Sequence, residues 1–166
     1  MHSKILLSAK LYFSYNQFLV YDASVRLPAC DWTEAHFGQG FAKRKSTVCF
    51  GSILEFGYAH VTAVLGRYRA EMGYDRVIAV PFFAASGVVI VEGPEEAAPK
   101  RRFTVNPCTY RLTAAQFVLP GPEQEERIDL FFEELHEPLP NSVILVADGA
   151  LRPPRPLLET AGIAGK

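Results

Sequence analysis

KLYFSYNQFLVYD, residues 10–22, is the stretch on which the fold turns. It is rich in aromatic and branched side chains, and Leu11, Phe13 and Tyr15 fall on one face with the two-residue period of a strand. At Asn16-Gln17 the apolar parity switches to Phe18 and Val20. A change of parity sends every later side chain to the other face, so the strand either carries a bulge here or bends onto a second sheet. The corner of a β-sandwich would do the latter.

Further strands are predicted on both sides of this stretch. Thr47 to Gly51, Phe56 to Leu65, Arg76 to Phe83, Val88 to Val91, Arg102 to Val105 and Thr109 to Leu119 all carry strand patterns. Pro81 places its strand at a sheet edge or end, because its ring removes a ladder donor. Glu123 to Glu137 is ambiguous, since a Glu-rich composition favours helix, yet Ile128, Leu130 and Phe132 alternate. It is read as a strand. Helix is expected only after Asp31-Trp32-Thr33-Glu34 and over Leu157 to Ala164. Eight or nine short strands with Gly and Pro turns predict a mostly β, two-layer antiparallel sandwich with at most short helices. Its core should hold Phe13, Phe50, Val80, Leu112 and Leu145. The sandwich is expected over residues 1–150, followed by a Pro-rich tail over 151–166.

A chain of 166 residues, 49% hydrophobic and 21% charged, is globular rather than disordered. A net charge of −1 argues against direct nucleic-acid binding. The apolar run Ile5-Leu6-Leu7 is too short for a signal peptide, and no window approaches the roughly 18 apolar residues of a membrane span. Cys30, Cys49 and Cys108, an odd number without CxxC spacing, read as reduced thiols, which predicts a cytoplasmic protein.

Chemistry-bearing motifs are absent: there is no GxSxG elbow, Walker loop, GxGxxG or HExxH. The four histidines, at positions 2, 36, 60 and 136, lack metal-ligand spacing. His60 is expected to be a packed core or edge residue, and His36 a capping or exposed one. A Cys49 or Cys108 nucleophile paired with His60 is disfavoured, because a buried strand cysteine is the ordinary outcome. Catalytic residues, metal ligands and cofactors are therefore expected to be none. The basic runs Lys43-Arg44-Lys45 and Lys100-Arg101-Arg102 read as solubilising loops.

The acidic stretch is more informative, since Glu123, Glu125, Glu126, Asp129, Glu133, Glu134 and Glu137 accompany a single cation, Arg127. A strand would put Asp129 and Glu133 opposite Ile128, Leu130 and Phe132, on a solvent face suited to a cationic partner. The alternative is a solvated edge guarded against aggregation. Asp31 and Trp32 form a second candidate, an aromatic anchor beside capping residues.

At SYNQFLVYD, Cys30-Asp31-Trp32-Thr33 and Gly40-Phe41 the chain resembles the competence protein J (ComJ) family. Val80-Pro81-Phe82 and FTVNPCTYRL, from Phe103 to Leu112, extend the likeness over most of positions 12 to 118. The resemblance implies a non-enzymatic inhibitor that binds and blocks a nuclease, as the family's founding member does for the nuclease of DNA uptake. No family residue set transfers with it. The contact candidates Glu125, Glu126, Asp129, Glu133, Asp31 and Trp32 come from the charge and aromatic arguments above. The expected partner is a cognate nuclease, with no nucleic acid, membrane or small molecule. A competing reading is a module for a small ligand or carbohydrate, supported by Tyr12, Tyr15 and Phe18.

Overall fold

Tyr15 and Asn16 both sit at φ 55°, a left-handed geometry that costs a non-glycine residue on the order of 1 kcal/mol. This reversal ends strand β1 (Lys4–Phe13) and opens β2 (Gln17–Asp22). The two strands belong to different sheets, so the parity switch is a sandwich corner. The turn is held by the Asn16 N–H, which donates to the Glu55 carbonyl at 2.9 Å, and by the Asn16 amide, which donates to the Leu54 carbonyl at 3.2 Å.

The computed structural model describes residues 3–70, 73–94, 101–137 and 141–165. After β2 come α1 (Glu34–Gln39), β3 (Phe41–Arg44), β4 (Thr47–Gly51), β5 (Gly57–Leu65), β6 (Arg76–Phe83), β7 (Val88–Glu92), β8 (Arg101–Thr104), β9 (Thr109–Leu119), β10 (Glu125–Glu134) and β11 (Val143–Val146). One sheet has the order β1-β5-β10-β9-β6-β11 and the other β3-β4-β2-β7-β8. Pairing is antiparallel except between β5 and β10, which run parallel, so the six-stranded sheet is mixed. No helix among the described residues is long and apolar enough to cross a membrane.

Alternation within the strands builds the core. Leu11 and Phe13 from β1, Val20 from β2, Phe50 from β4, Val80 and Phe82 from β6, Leu112 from β9 and Phe132 from β10 are all buried between the sheets. Phe132 is a hub, with the rings of Phe103, Tyr110 and Phe82 at 5.4, 5.9 and 6.1 Å. Four of the five expected core residues lie in this cluster. Leu145 does not: it is 49% exposed, because on the edge strand β11 its neighbour Ile144 turns inward. Pro81 lies beyond the last rung β11 makes with β6, Val143 to Ala79, where no ladder donor is demanded of it.

Both sheets are also partly covered outside. Tyr68, Tyr74, Phe117 and Phe131 pack with Val77 and Ala115 on the six-stranded sheet. Val25, Trp32 and Ala161 pack over Leu19, Tyr21, Cys49 and Ile90 on the other. Residues 157–164 form no helix; they run as an irregular strap whose Ile163 bridges Cys30. Pro153, Pro154 and Pro156 lead into it, and its backbone groups find partners elsewhere: Leu158 N–H on Gln39 Oε1 at 2.8 Å and Ala164 N–H on the Ala29 carbonyl at 3.1 Å. Gly38 is the close approach, since a Cβ there would strike the Arg152 carbonyl oxygen.

Candidate partner-binding surface

The two-residue period divides β10 into an outward row, Glu125, Arg127, Asp129, Phe131 and Glu133, and an inward row, Glu126, Ile128, Leu130 and Phe132. On the outward row the carboxylates are met by donor side chains of this same chain. Glu125 takes Lys10 Nζ at 3.3 Å and His60 Nε2 at 2.6 Å, and the hydrogen bonds from His60 and Lys10 hold its carboxyl below the usual range. Glu133 takes Arg67 Nε at 3.1 Å and Arg111 Nη1 at 3.8 Å. Asp129 is buried and accepts from Arg127 Nε at 3.2 Å and the Tyr74 hydroxyl at 2.6 Å. The anionic face expected from composition is neutralised by its neighbours on β1, β5 and β9.

Glu126 departs from its assigned role, because it is fully buried and cannot meet a partner. It shares the parity of Ile128, and its carboxylate faces the inner end of the sandwich. The Leu54 N–H donates to its Oε1 at 2.5 Å and Gln116 Nε2 to its Oε2 at 3.4 Å. Gln116 Nε2 and Arg76 Nη1 both donate to the Gly51 carbonyl at 3.0 Å, and Arg76 forms a two-pronged pair with Asp148, both contacts at 3.0 Å. Burial outweighs these donors and pushes the Glu126 carboxyl up to about 7. Its position is structural: it clamps the 52–56 loop from beneath.

Asp31 is exposed and Trp32 half-buried on the other sheet. The Trp32 indole N–H donates to Gln17 Oε1 at 3.1 Å, and its ring stacks at 5.1 Å on Phe37, which is 62% exposed. Thr33 caps α1, and the Thr33 N–H donates to His36 Nδ1 at 3.0 Å. With Nδ1 accepting, Nε2 carries the proton that bonds the Thr160 carbonyl at 3.0 Å. His36 is therefore a buried capping residue. His60 is neither core nor edge, but exposed on β5, one strand in from the sheet edge, beside Glu125.

Neither cysteine forms a dyad with His60. Cys49 lies in the other sheet, where its Sγ accepts from the Cys30 N–H at 3.3 Å. The Cys49 hydrogen bond and the nearby cations Arg44 and Lys43 lower the Cys30 thiol, while Cys49 is raised by its bond to Cys30 and by burial. Among the described residues no three His, Cys, Asp or Glu side chains could share a metal. The basic run at 43–45 is not a solubilising loop: Lys43 is buried on β3 and Arg44 binds the Ala29 carbonyl at 3.1 Å and that of Leu27. Lys100 lies outside the described residues.

Of the aromatics suggested for a ligand module, Phe18 is withdrawn from the surface that carries Tyr12 and Tyr15. Phe18 is in the core, Tyr12 stands on the outer face against Tyr58 at 5.4 Å, and Tyr15 projects from the corner, 67% exposed. The exposed rings Phe37, Phe56 and Tyr58 did not stand out in the sequence. For Tyr58 a signal existed, since it shares the outward parity of His60.

Comparisons with known proteins agree with this architecture. The ComJ crystal structure from Bacillus subtilis, described as an inhibitor of the DNA degrading activity of NucA, is similar with a TM-score of 0.68 at 19% identity, over 81% of this chain and 100% of that one. The crocagin biosynthetic gene J product is similar with a TM-score of 0.54 at 18% identity, over 79% and 98%. These likenesses establish the sandwich. Among curated protein sequences nothing matches the chain. The family model for Competence protein J matches residues 10–133, from the middle of β1 to the end of β10. With three quarters of its length so matched, the chain belongs to the Competence protein J (ComJ) family.

Proposed function

We propose that this protein inhibits a nuclease by binding it in a one-to-one complex, in the cytoplasm, in a competence or immunity setting. The observation that carries this reading is the family match over residues 10–133, on a fold that covers the whole of a solved inhibitor of DNA degradation. Physical features support it. The sandwich presents exposed rings, among them Phe37 against Trp32, together with the exposed Asp31, which suits recognition of another protein. Three free thiols fit a reducing compartment. The test is titration of the purified protein into the nuclease that co-purifies with it, with a linear duplex as substrate. Cleavage should fall to baseline near one equivalent. Undiminished cleavage at a tenfold molar excess would refute the reading.

A further inference from the structure

We propose that the end of the sandwich where the chain turns between the sheets at Ser14–Gln17 is the docking surface, and that it enters the cationic, nucleic-acid-binding cleft of the nuclease. This inference rests on the inhibitor reading above and assigns its contact surface. Every aromatic side chain exposed by more than a third among the described residues gathers around this corner: Tyr12, Tyr15, Phe37, Phe56 and Tyr58. Tyr15 and Phe56 are at the tip, 67% and 64% exposed. Tyr12 and Tyr58 flank them on one sheet, where β1 ends and β5 begins. Phe37 reaches the corner on the other sheet through Trp32 and its hydrogen bond to Gln17. Aromatic side chains in such numbers are a mark of interface cores and their energetic anchors.

Charge selects the occupant. Glu55 and Glu123 are exposed at this end and make no ion pair among the described residues. Glu55 adjoins the corner through the Asn16 N–H on its carbonyl, and residue 124 lies against Gly57, with the Gln124 carbonyl 3.8 Å from where a Cβ would stand. Of the cations near this corner, Lys10 is engaged by Glu125 and Arg101 binds the Lys10 carbonyl at 2.7 Å, while exposed Arg152 lies against Gly38 beside Phe37. Exposed cations Lys45, Arg67 and Arg69 sit at the far end, where β3 turns into β4 and β5 finishes. Rings and the unpaired carboxylates of Glu55 and Glu123 thus lead at this end, an arrangement that favours a cleft built to attract a polyanion.

The tip is also held in shape. Ser52 N–H donates to the Asn16 carbonyl at 2.8 Å, and Glu126 fixes Leu54 from below. A surface already ordered loses little freedom on binding.

The experiment measures inhibition of the co-purified nuclease on a linear DNA duplex for wild type, Y15A/F56A, E55K and, as a control on the opposite edge, L145E. The wild-type protein should inhibit competitively with respect to DNA. The double substitution should raise the inhibition constant at least about thirtyfold and E55K should slow association at low salt, whereas L145E should stay within about twofold. Melting temperatures close to wild type identify the variants as folded. Wild-type inhibition that survives Y15A/F56A, or that is insensitive to DNA concentration, overturns the docking surface alone. A wild-type protein that leaves cleavage untouched overturns the inhibitor reading together with it.

Discussion

Glu126 makes the fold sensitive to pH near neutrality. The carboxyl titrates at about 7 in the folded protein against a reference value of 4.5, so the native state binds its proton more tightly than the unfolded chain does. Stability from this residue is present in full below about pH 4.5 and is lost as pH rises through about 7. Linkage over that interval amounts to about 3 kcal/mol, of which about 2 kcal/mol falls between about pH 5.5 and about pH 8. Glu126→Gln removes the ionisation while keeping volume and an acceptor for the Leu54 N–H. In denaturant melts across this range the gap between the two proteins should widen by about 2 kcal/mol from the acid end to the alkaline end, with the variant the more stable. For a chain of this size that is roughly 4–8 °C in Tm. Parallel pH profiles for the two proteins would show that Glu126 is not the group responsible and would refute the reasoning.

Three further outcomes are expected. At Asp22, burial raises the carboxyl, but hydrogen bonds from the Ser24 and Ser86 hydroxyls and backbone N–H groups outweigh it and leave it below its usual value. Its stabilisation should therefore disappear as pH falls below about 4, and D22N, which turns an acceptor into a donor facing those groups, should cost about 1–3 kcal/mol in urea unfolding at neutral pH. Gly38→Ala should push the strap off α1, seen as rapid proteolytic trimming after residue 150 while the residues of the sandwich core keep their amide-exchange protection. Phe132→Ala, which empties the centre of the ring cluster, should lower stability by about 3–5 kcal/mol in the same unfolding assay.

Much of the architecture was legible because local pattern and tertiary environment agree. The parity switch at Asn16-Gln17 marks a true corner, and β6 and β9 have the predicted ends, Arg76–Phe83 and Thr109–Leu119. Where the apolar period is absent, the sequence is mute: in Val143–Val146 all four residues are apolar, so nothing told which of Ile144 and Leu145 would face inward. The four-residue β3 was missed for the same want of length, and its cations Lys43 and Arg44 were assigned to a loop. Glu126 is different. Its even-numbered parity with Ile128 and Leu130 puts it on the core face, where its charge alone points to solvent. The clustering of Phe37 with Phe56 depends on contacts between segments far apart in sequence, which no local pattern encodes.

The strap also sets an order on synthesis. Gln39, His36 and Cys30 acquire their partners Leu158, Thr160 and Ile163 only after more than a hundred further residues have been added. At ribosomal rates of about 5–20 residues per second this is on the order of ten seconds, during which the outer face of the second sheet stands open beside the ribosome. Nascent chains should therefore be held by chaperones at this stage, and shortening of the strap should show first as lost soluble yield.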